Sequence, residues 1–159
     1  MATEIFIDGL AEPTNPGIAT YGYVVYRDGV ELGRGHGFDG DPASNNHAEY
    51  AGLVAALRAV EAEPDREIVV KSDSRMLVNQ MTGAWKVSKK AFRNEEEGSY
   101  VEKYLEAKEA AKRFPRLVFQ WIPRELNSEA DELSRVAYRE ELIKRRKRGR
   151  GEGGGGGAR

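Results

Sequence analysis

The sequence predicts an α/β fold: a mixed five-stranded sheet, its first three strands antiparallel, flanked by helices. Three observations carry this. Short apolar runs rich in Ile, Val and Tyr open the chain and recur over 67–72 and 117–122, each bounded by polar or turn-forming residues. Between them, apolar residues return at the three- and four-residue spacing of a helix face. The resulting order, βββ-α-β-α-α-β-α, sets a hairpin run ahead of β–α units, which joins antiparallel and parallel pairing in one sheet.

Each element has its own local cause. Glu4-Ile5-Phe6-Ile7 reads as a buried strand closed by Asp8-Gly9, and Glu12 to Gly17 is a turn rich in Pro and Gly. A second strand spans Thr20 to Tyr26. Asp28-Gly29 then makes a two-residue hairpin into a third strand reaching Phe38. A loop from Asp39 to Asn45 leads into a helix whose Tyr50, Leu53, Val54, Leu57 and Val60 share one face, ended by Pro64-Asp65. Ile68-Val69-Val70 forms the centre of a strand over Glu67 to Ser72, terminated by Asp73. A short helix from Ser74 to Met81 carries Leu77, Gln80 and Met81 on one side. After a basic link, Lys86-Val87-Ser88-Lys89-Lys90, the spacing predicts a helix over 99–114 with Val101, Tyr104, Leu105 and Phe114 inward. Leu117 to Ile122 is the last strand and Ser128 to Ile143 the last helix.

The chain has 159 residues, 17.7 kDa, which is one domain's worth at roughly 100–200 residues per domain. The absence of cysteine excludes a disulfide framework, a thiolate metal site and a Cys nucleophile. The start lacks a charged-then-apolar leader, and no run approaches the roughly 18 apolar residues of a membrane span. A soluble, cytoplasmic monomer is expected. The net charge of −1 hides an asymmetry: residues 144–159 hold seven Lys/Arg against one acid, and residues 1–143 carry 18 basic and 25 acidic groups. The expected organisation is a folded unit over 1–143 and a basic, Gly-rich, disordered tail over 144–159 that could meet nucleic acid.

Four carboxylates stand at element boundaries: Asp8, Glu49, Asp73 and Asp131. Each has an ordinary structural explanation. Asn46 to Glu49 and Ser128 to Asp131 have capping-box spacing, Asp73 could cap the following helix, and Asp8 could be an Asp-Gly turn residue. Taken together they suggest more. Asp8 and Asp73 close two apolar strands expected to be neighbours, so both emerge at the sheet edge where α/β sites form. Four clustered carboxylates repel, and hard oxygen ligands suit Mg²⁺ or Mn²⁺. Two such ions about 4 Å apart activate water and stabilise the leaving oxygen of a phosphodiester.

Five segments together resemble the ribonuclease H type 1 family: Phe6-Ile7-Asp8-Gly9, Asn15-Pro16-Gly17, Ser44-Asn45-Asn46-His47-Ala48-Glu49, Val70-Lys71-Ser72-Asp73-Ser74 and Pro123-Arg124-Glu125-Leu126-Asn127-Ser128-Glu129-Ala130-Asp131. The resemblance covers residues 3 to about 140. It implies the ribonuclease H-like fold over a catalytic domain at 1–143, and endonucleolytic hydrolysis of the RNA strand of RNA/DNA hybrids with two Mg²⁺ ions, Mn²⁺ being an alternative. It implies Asp8, Glu49, Asp73 and Asp131 as catalytic metal ligands, with 5′-phosphate and 3′-hydroxyl products. Asp8 and Asp73 would hold or bridge both ions, Glu49 the leaving-group side, and Asp131 the water side.

On the substrate side, the resemblance places Asn15, Asn45 and Asn46 across the minor groove of the hybrid, where amides can both donate to and accept from 2′-hydroxyls. Ser44 matches a DNA-phosphate contact, and Arg75 stands where many relatives carry Gln. Trp85 with Lys86, Lys89 and Lys90 resembles the family's DNA-strand channel. Two departures stand out. The chain has room for only a short link in place of the longer basic protrusion. It also has no histidine in the 123–130 loop, where many members carry a mobile one; Arg124 or Glu125 is expected to take over. A binding-only module on the same fold would have no use for four repelling carboxylates, and the Asn15-Pro16-Gly17 and Ser44-Asn45-Asn46 segments favour this family over related nucleases.

Overall fold

The computed structural model describes residues 2–88 and 100–158. Strands β1 (Thr3–Glu12), β2 (Gly17–Arg27) and β3 (Val30–Ala43) pair antiparallel, and β1 pairs parallel with β4 (Ile68–Ser72), which pairs parallel with β5 (Leu117–Trp121). The sheet order is β3-β2-β1-β4-β5. Helices α1 (Asn45–Ala59), α2 (Arg75–Thr82) and α3 (Val101–Ala111) pack on one face, and α4 (Ser128–Ala158), preceded by a single turn at Arg124–Leu126, on the other. The element order matches the expectation. Among the described residues, no helix is long and apolar enough to cross a membrane.

The hairpin turn is as read: Asp28 (φ 53°) and Gly29 (φ 79°) are both left-handed, the geometry that matches strand twist. The first strands run further than their apolar stretches. β1 continues through Asp8-Gly9, because the β2 ladder pairs it as far as Glu12 opposite Ile18, so its polar end is satisfied whatever its side chains. β3 likewise passes through the expected loop, pairing Ala43 with Gly17 across register shifts. Asp8 is therefore a mid-strand residue and not a turn residue.

Alternate residues of the central strands face opposite layers. Ile5, Ile7 and Val25 join Leu53, Val54 and Leu57 of α1, Leu77 and Met81 of α2, and Val101, Ala107 and Ala110 of α3 in one core. Leu105 is 52% exposed and not inward. The inward stripe of α3 follows 101, 104, 107 and 110, which leaves 105 on the outer flank. Inside this core the Tyr50 hydroxyl donates to Gln80 Oε1 (2.7 Å), and Gln80 Nε2 donates to the Tyr100 hydroxyl oxygen (2.8 Å).

The last helix does not close at Ile143. It continues helical through the basic segment to Ala158. Glu141 is buried and accepts from Arg145 Nε (2.9 Å) and Arg148 (3.1 Å), while Arg145 also reaches Asp41 of β3 (2.7 Å). These pairs hold the turn that the sequence left loose.

Two glycines bring the layers close. A Cβ on Gly9 would lie 2.5 Å from the Ala48 carbonyl carbon and the Glu49 nitrogen of α1, and one on Gly22 would lie 2.6 Å from the Ala130 carbonyl oxygen of α4. Asp8 sits beside Gly9 and opposite Gly22. Backbone contacts with α1 and α4 thus fall on adjacent points of β1 and β2, on either side of Asp8. Gly9→Ala is expected to destabilise the fold by about 1–3 kcal/mol, as overpacking does, and to weaken divalent-cation binding by displacing Glu49. Denaturant unfolding and a cation titration check this; unchanged stability would show that the contact has slack.

Candidate active site

Asp8 and Asp73 are neighbours by register. Ile7 pairs with Ser72 across the parallel β1–β4 ladder, so Asp73 leaves β4 alongside Asp8. The ordinary explanations for Asp8, Glu49 and Asp73 do not hold in the structure. Ser44, and not Asn46, caps α1 by accepting from the His47 N–H (3.1 Å), which puts Glu49 in the second turn with no capping role. Ser74 caps α2 by accepting from the Leu77 N–H (3.1 Å), leaving the Asp73 carboxylate free of that task. Asp131 lies in the first turn of α4. It accepts from Arg135 Nε at 3.3 Å and stands against Asp8.

One carboxylate oxygen each from Asp8, Glu49 and Asp73 lies within 4.8 Å of the others. Burial pushes Asp8 up from its ordinary 3.8 to about 8, with the charges of Asp73 and Asp131 adding to the rise. Burial also holds Glu49 well above the usual carboxylate range, helped by the charges of Asp8 and Asp73. Asp73 is raised by burial against the opposing effects of Asn127 and Arg124. The buried Glu49 Oε2 has no hydrogen-bond partner. An orphaned oxygen among crowded carboxyl groups is what an oxygen-ligated cation site looks like without its charge. The all-oxygen donor set fits hard divalent cations such as Mg²⁺ or Mn²⁺.

Two residues in the site carried no assigned role in the sequence reading. Asn127, 1% exposed, donates through Nδ2 to the Ile7 carbonyl (2.7 Å) and to Asp73 Oδ2 (3.5 Å), tying β1, β4 and the start of α4 together. Its place immediately before the Ser128–Asp131 turn was the available signal. Trp121 Nε1 donates to the Asp73 carbonyl (3.1 Å), and the Arg75 guanidinium lies 3.9 Å from the Trp121 ring centroid. The residue in the position associated with Gln in relatives is thus stacked on an aromatic ring at the edge of the acid cluster.

The other candidate contacts divide by location. Asn15 Oδ1 accepts from the Asn45 N–H (3.0 Å), and Asn45 Oδ1 accepts from the Ala11 N–H (2.8 Å), so both amide oxygens serve the chain. Asn46 is half-buried. Ser44 is buried as a cap. Arg124 is exposed, with its charge felt by Asp73. Trp85, 51% exposed, and Lys86 lie past the end of α2; Lys89 and Lys90 lie outside the described residues. His36 pairs with Glu140 (2.9 Å) and His47 with Asp39, neither at the acids.

A carboxyl group whose pKa rises on folding holds its proton more tightly in the folded chain. Between 3.8 and about 8 folded Asp8 carries more proton than the unfolded chain does, so stability of the cation-free protein falls as pH rises through that window. Unfolding measured with chelator near each end of the window should show this fall, and Asp8→Asn should flatten it. Mg²⁺ at a hundred times its dissociation constant should restore about 2.7 kcal/mol at the upper end. Stability independent of pH would contradict the crowding of these acids.

A family model described as reverse transcriptase-like matches residues 8–137. The bifunctional protein Rv2228c of Mycobacterium tuberculosis is 35% identical over 129 residues, which is 76% of this chain and 31% of that protein. The chain thus spans about a third of the length of this relative. Ribonuclease HI of Halobacterium salinarum is 34% identical over 133 residues, 83% of this chain and 62% of its own. The solved N-terminal RNase H domain of Rv2228c matches with a TM-score of 0.75 at 34% identity, covering 90% of this chain and 97% of that one. LC11-RNase H1, isolated from compost and solved with an RNA/DNA hybrid, matches with a TM-score of 0.76 at 34% identity, covering 88% and 99%. In sequence and in the topology of its five-stranded sheet, the chain belongs to the ribonuclease H type 1 family.

Proposed function

We propose that the protein is an endoribonuclease that hydrolyses the RNA strand of RNA/DNA hybrids, with divalent cations held by Asp8, Glu49, Asp73 and Asp131, leaving 5′-phosphate and 3′-hydroxyl ends. The observation that carries this is the convergence of three carboxylate oxygens within 4.8 Å, one of the acids having an orphaned oxygen. Two bound Mg²⁺ ions would supply an activated water and charge stabilisation at the leaving oxygen. The chain's own part is positional. Asn127 fixes Asp73 relative to β1, and Trp121 fixes the Asp73 backbone. Both amide oxygens of Asn15 and Asn45 accept from the chain's own backbone and both residues are exposed, so their NH₂ groups are the part suited to 2′-hydroxyls that mark the RNA strand. All four acids come from one chain, so a monomer suffices, and a cysteine-free chain suits the cytoplasm.

Labelled hybrid, duplex RNA and duplex DNA, each incubated with Mg²⁺, Mn²⁺ or chelator, test the reading. Cation-dependent cutting of the RNA strand of the hybrid is expected; intact hybrid alongside cut DNA would overturn it. Asp73→Asn should abolish hydrolysis while keeping the fold and raising cation-free stability, because it removes one of the crowded charges. Retained turnover would sink the ligand assignment. Arg124→Ala should slow turnover more than it weakens hybrid binding, and a larger effect from Glu125→Ala would shift the role to that residue.

A further inference from the structure

Residues 141–150 of α4 present two faces. Successive helical residues are about 100° apart, so Glu141, Arg145 and Arg148 share one side. That side is pinned: both arginines bond the buried Glu141, and Arg145 continues to Asp41 and lies 5.8 Å over the Phe38 ring. Arg146, Lys147 and Arg150 fall on the opposite side, and Lys144 stands between the two sides, flanked by Arg148 and Lys147. All four are exposed, and among the described residues none forms an ion pair.

The pin decides where this cationic face stands. Asp41 lies three residues before Ser44, and β3 ends at Ala43 opposite Gly17. The Asn15–Asn45 bond joins the same two segments. The basic end of α4 is therefore moored beside the candidate hybrid contacts, while the other end of the helix delivers Asp131 to the acids. From Asp131 to the 144–150 segment, a helix rises about 20–28 Å. At about 3.4 Å per nucleotide of one strand, that is about six to eight nucleotides.

We propose that Lys144, Arg146, Lys147 and Arg150 form a second phosphate-contact surface, gripping the hybrid backbone about six to eight nucleotides from the cleaved bond. The proposal rests on the hybrid as substrate. Residues 1–143, with 18 basic and 25 acidic groups, repel a polyanion, and this face supplies the missing attraction. It adds affinity without sequence choice, since side chains on phosphates read no bases.

The test uses the full chain and its R146Q/K147Q/R150Q variant, with Ca²⁺ replacing Mg²⁺ so that hybrid is bound and not cut. Binding is measured across a salt series for a hybrid of about 20 base pairs and one too short to span the distance. Losing three phosphate contacts should make the log affinity–log salt slope on the long hybrid shallower by about 2.7, and leave the short hybrid's slope as in the parent chain. Slopes equal to the parent's on the long hybrid, or an equal loss on both lengths, would overturn the proposal. Cleavage of the long hybrid by the parent chain in Mg²⁺ separates the two readings. Cutting with an unchanged variant slope removes only this surface; a length-dependent slope change without cutting removes the hydrolase reading and leaves the surface as a phosphate contact.

Discussion

Carboxyl groups from Asp8, Glu49 and Asp73 are held within 4.8 Å of one another, largely out of water, with Asp131 against Asp8. Left to themselves such groups separate or take up protons. What prevents separation is backbone packing. Helix α1 meets β1 at Gly9, helix α4 meets β2 at Gly22, and Asn127 ties the β1 carbonyl at Ile7 to Asp73. The rest of the fold serves these approaches: the parallel β1–β4 pairing sets Asp73 beside Asp8, and the apolar stripe of α1 fixes the height of Glu49.

Much of this was legible in the chain, and for stated reasons. Asp8 and Asp73 end or follow apolar runs that read as neighbouring strands of one sheet, so their adjacency could be read from pattern alone. Glu49 and Asp131 are harder, because capping boxes produce the same spacing. For Glu49 the structure separates the two explanations by giving the α1 cap to Ser44, which accepts from the His47 N–H. The strand ends were read short because polar residues 8–12 and 39–43 carry no apolar signal, yet their backbones pair with β2. The end of α4 was read short for a related reason. Its support comes from Asp41, about a hundred residues away in sequence, and no local pattern announces a partner so distant.

Asn127 and the Arg75–Trp121 stack show where sequence reading runs out. An asparagine beside a helix start has an ordinary capping explanation, and only the sheet geometry reveals its amide bridging Ile7 and Asp73. A tryptophan at the end of a strand reads as core, yet Trp121 is 37% exposed and donates to the Asp73 carbonyl. Both act on Asp73, the acid at the end of β4 that strand pairing alone does not orient. The amides proposed to meet the hybrid show the converse. Asn15 and Asn45 were expected to face the hybrid, and their oxygens are spent on the chain, which orients the remaining amide donors.

Cation binding with simultaneous measurement of proton release tests the central claim most directly, because it reads the crowded carboxyl groups themselves. With Asp8 held up to about 8 and Glu49 above its usual range, a cation entering near neutral pH must displace protons. Titration of Mg²⁺ or Mn²⁺ in buffers of different ionisation enthalpy should show protons released on binding, with the number falling as pH rises past 8, where Asp8 is already ionised. Cation binding with no proton release, or no binding at all, would contradict the account.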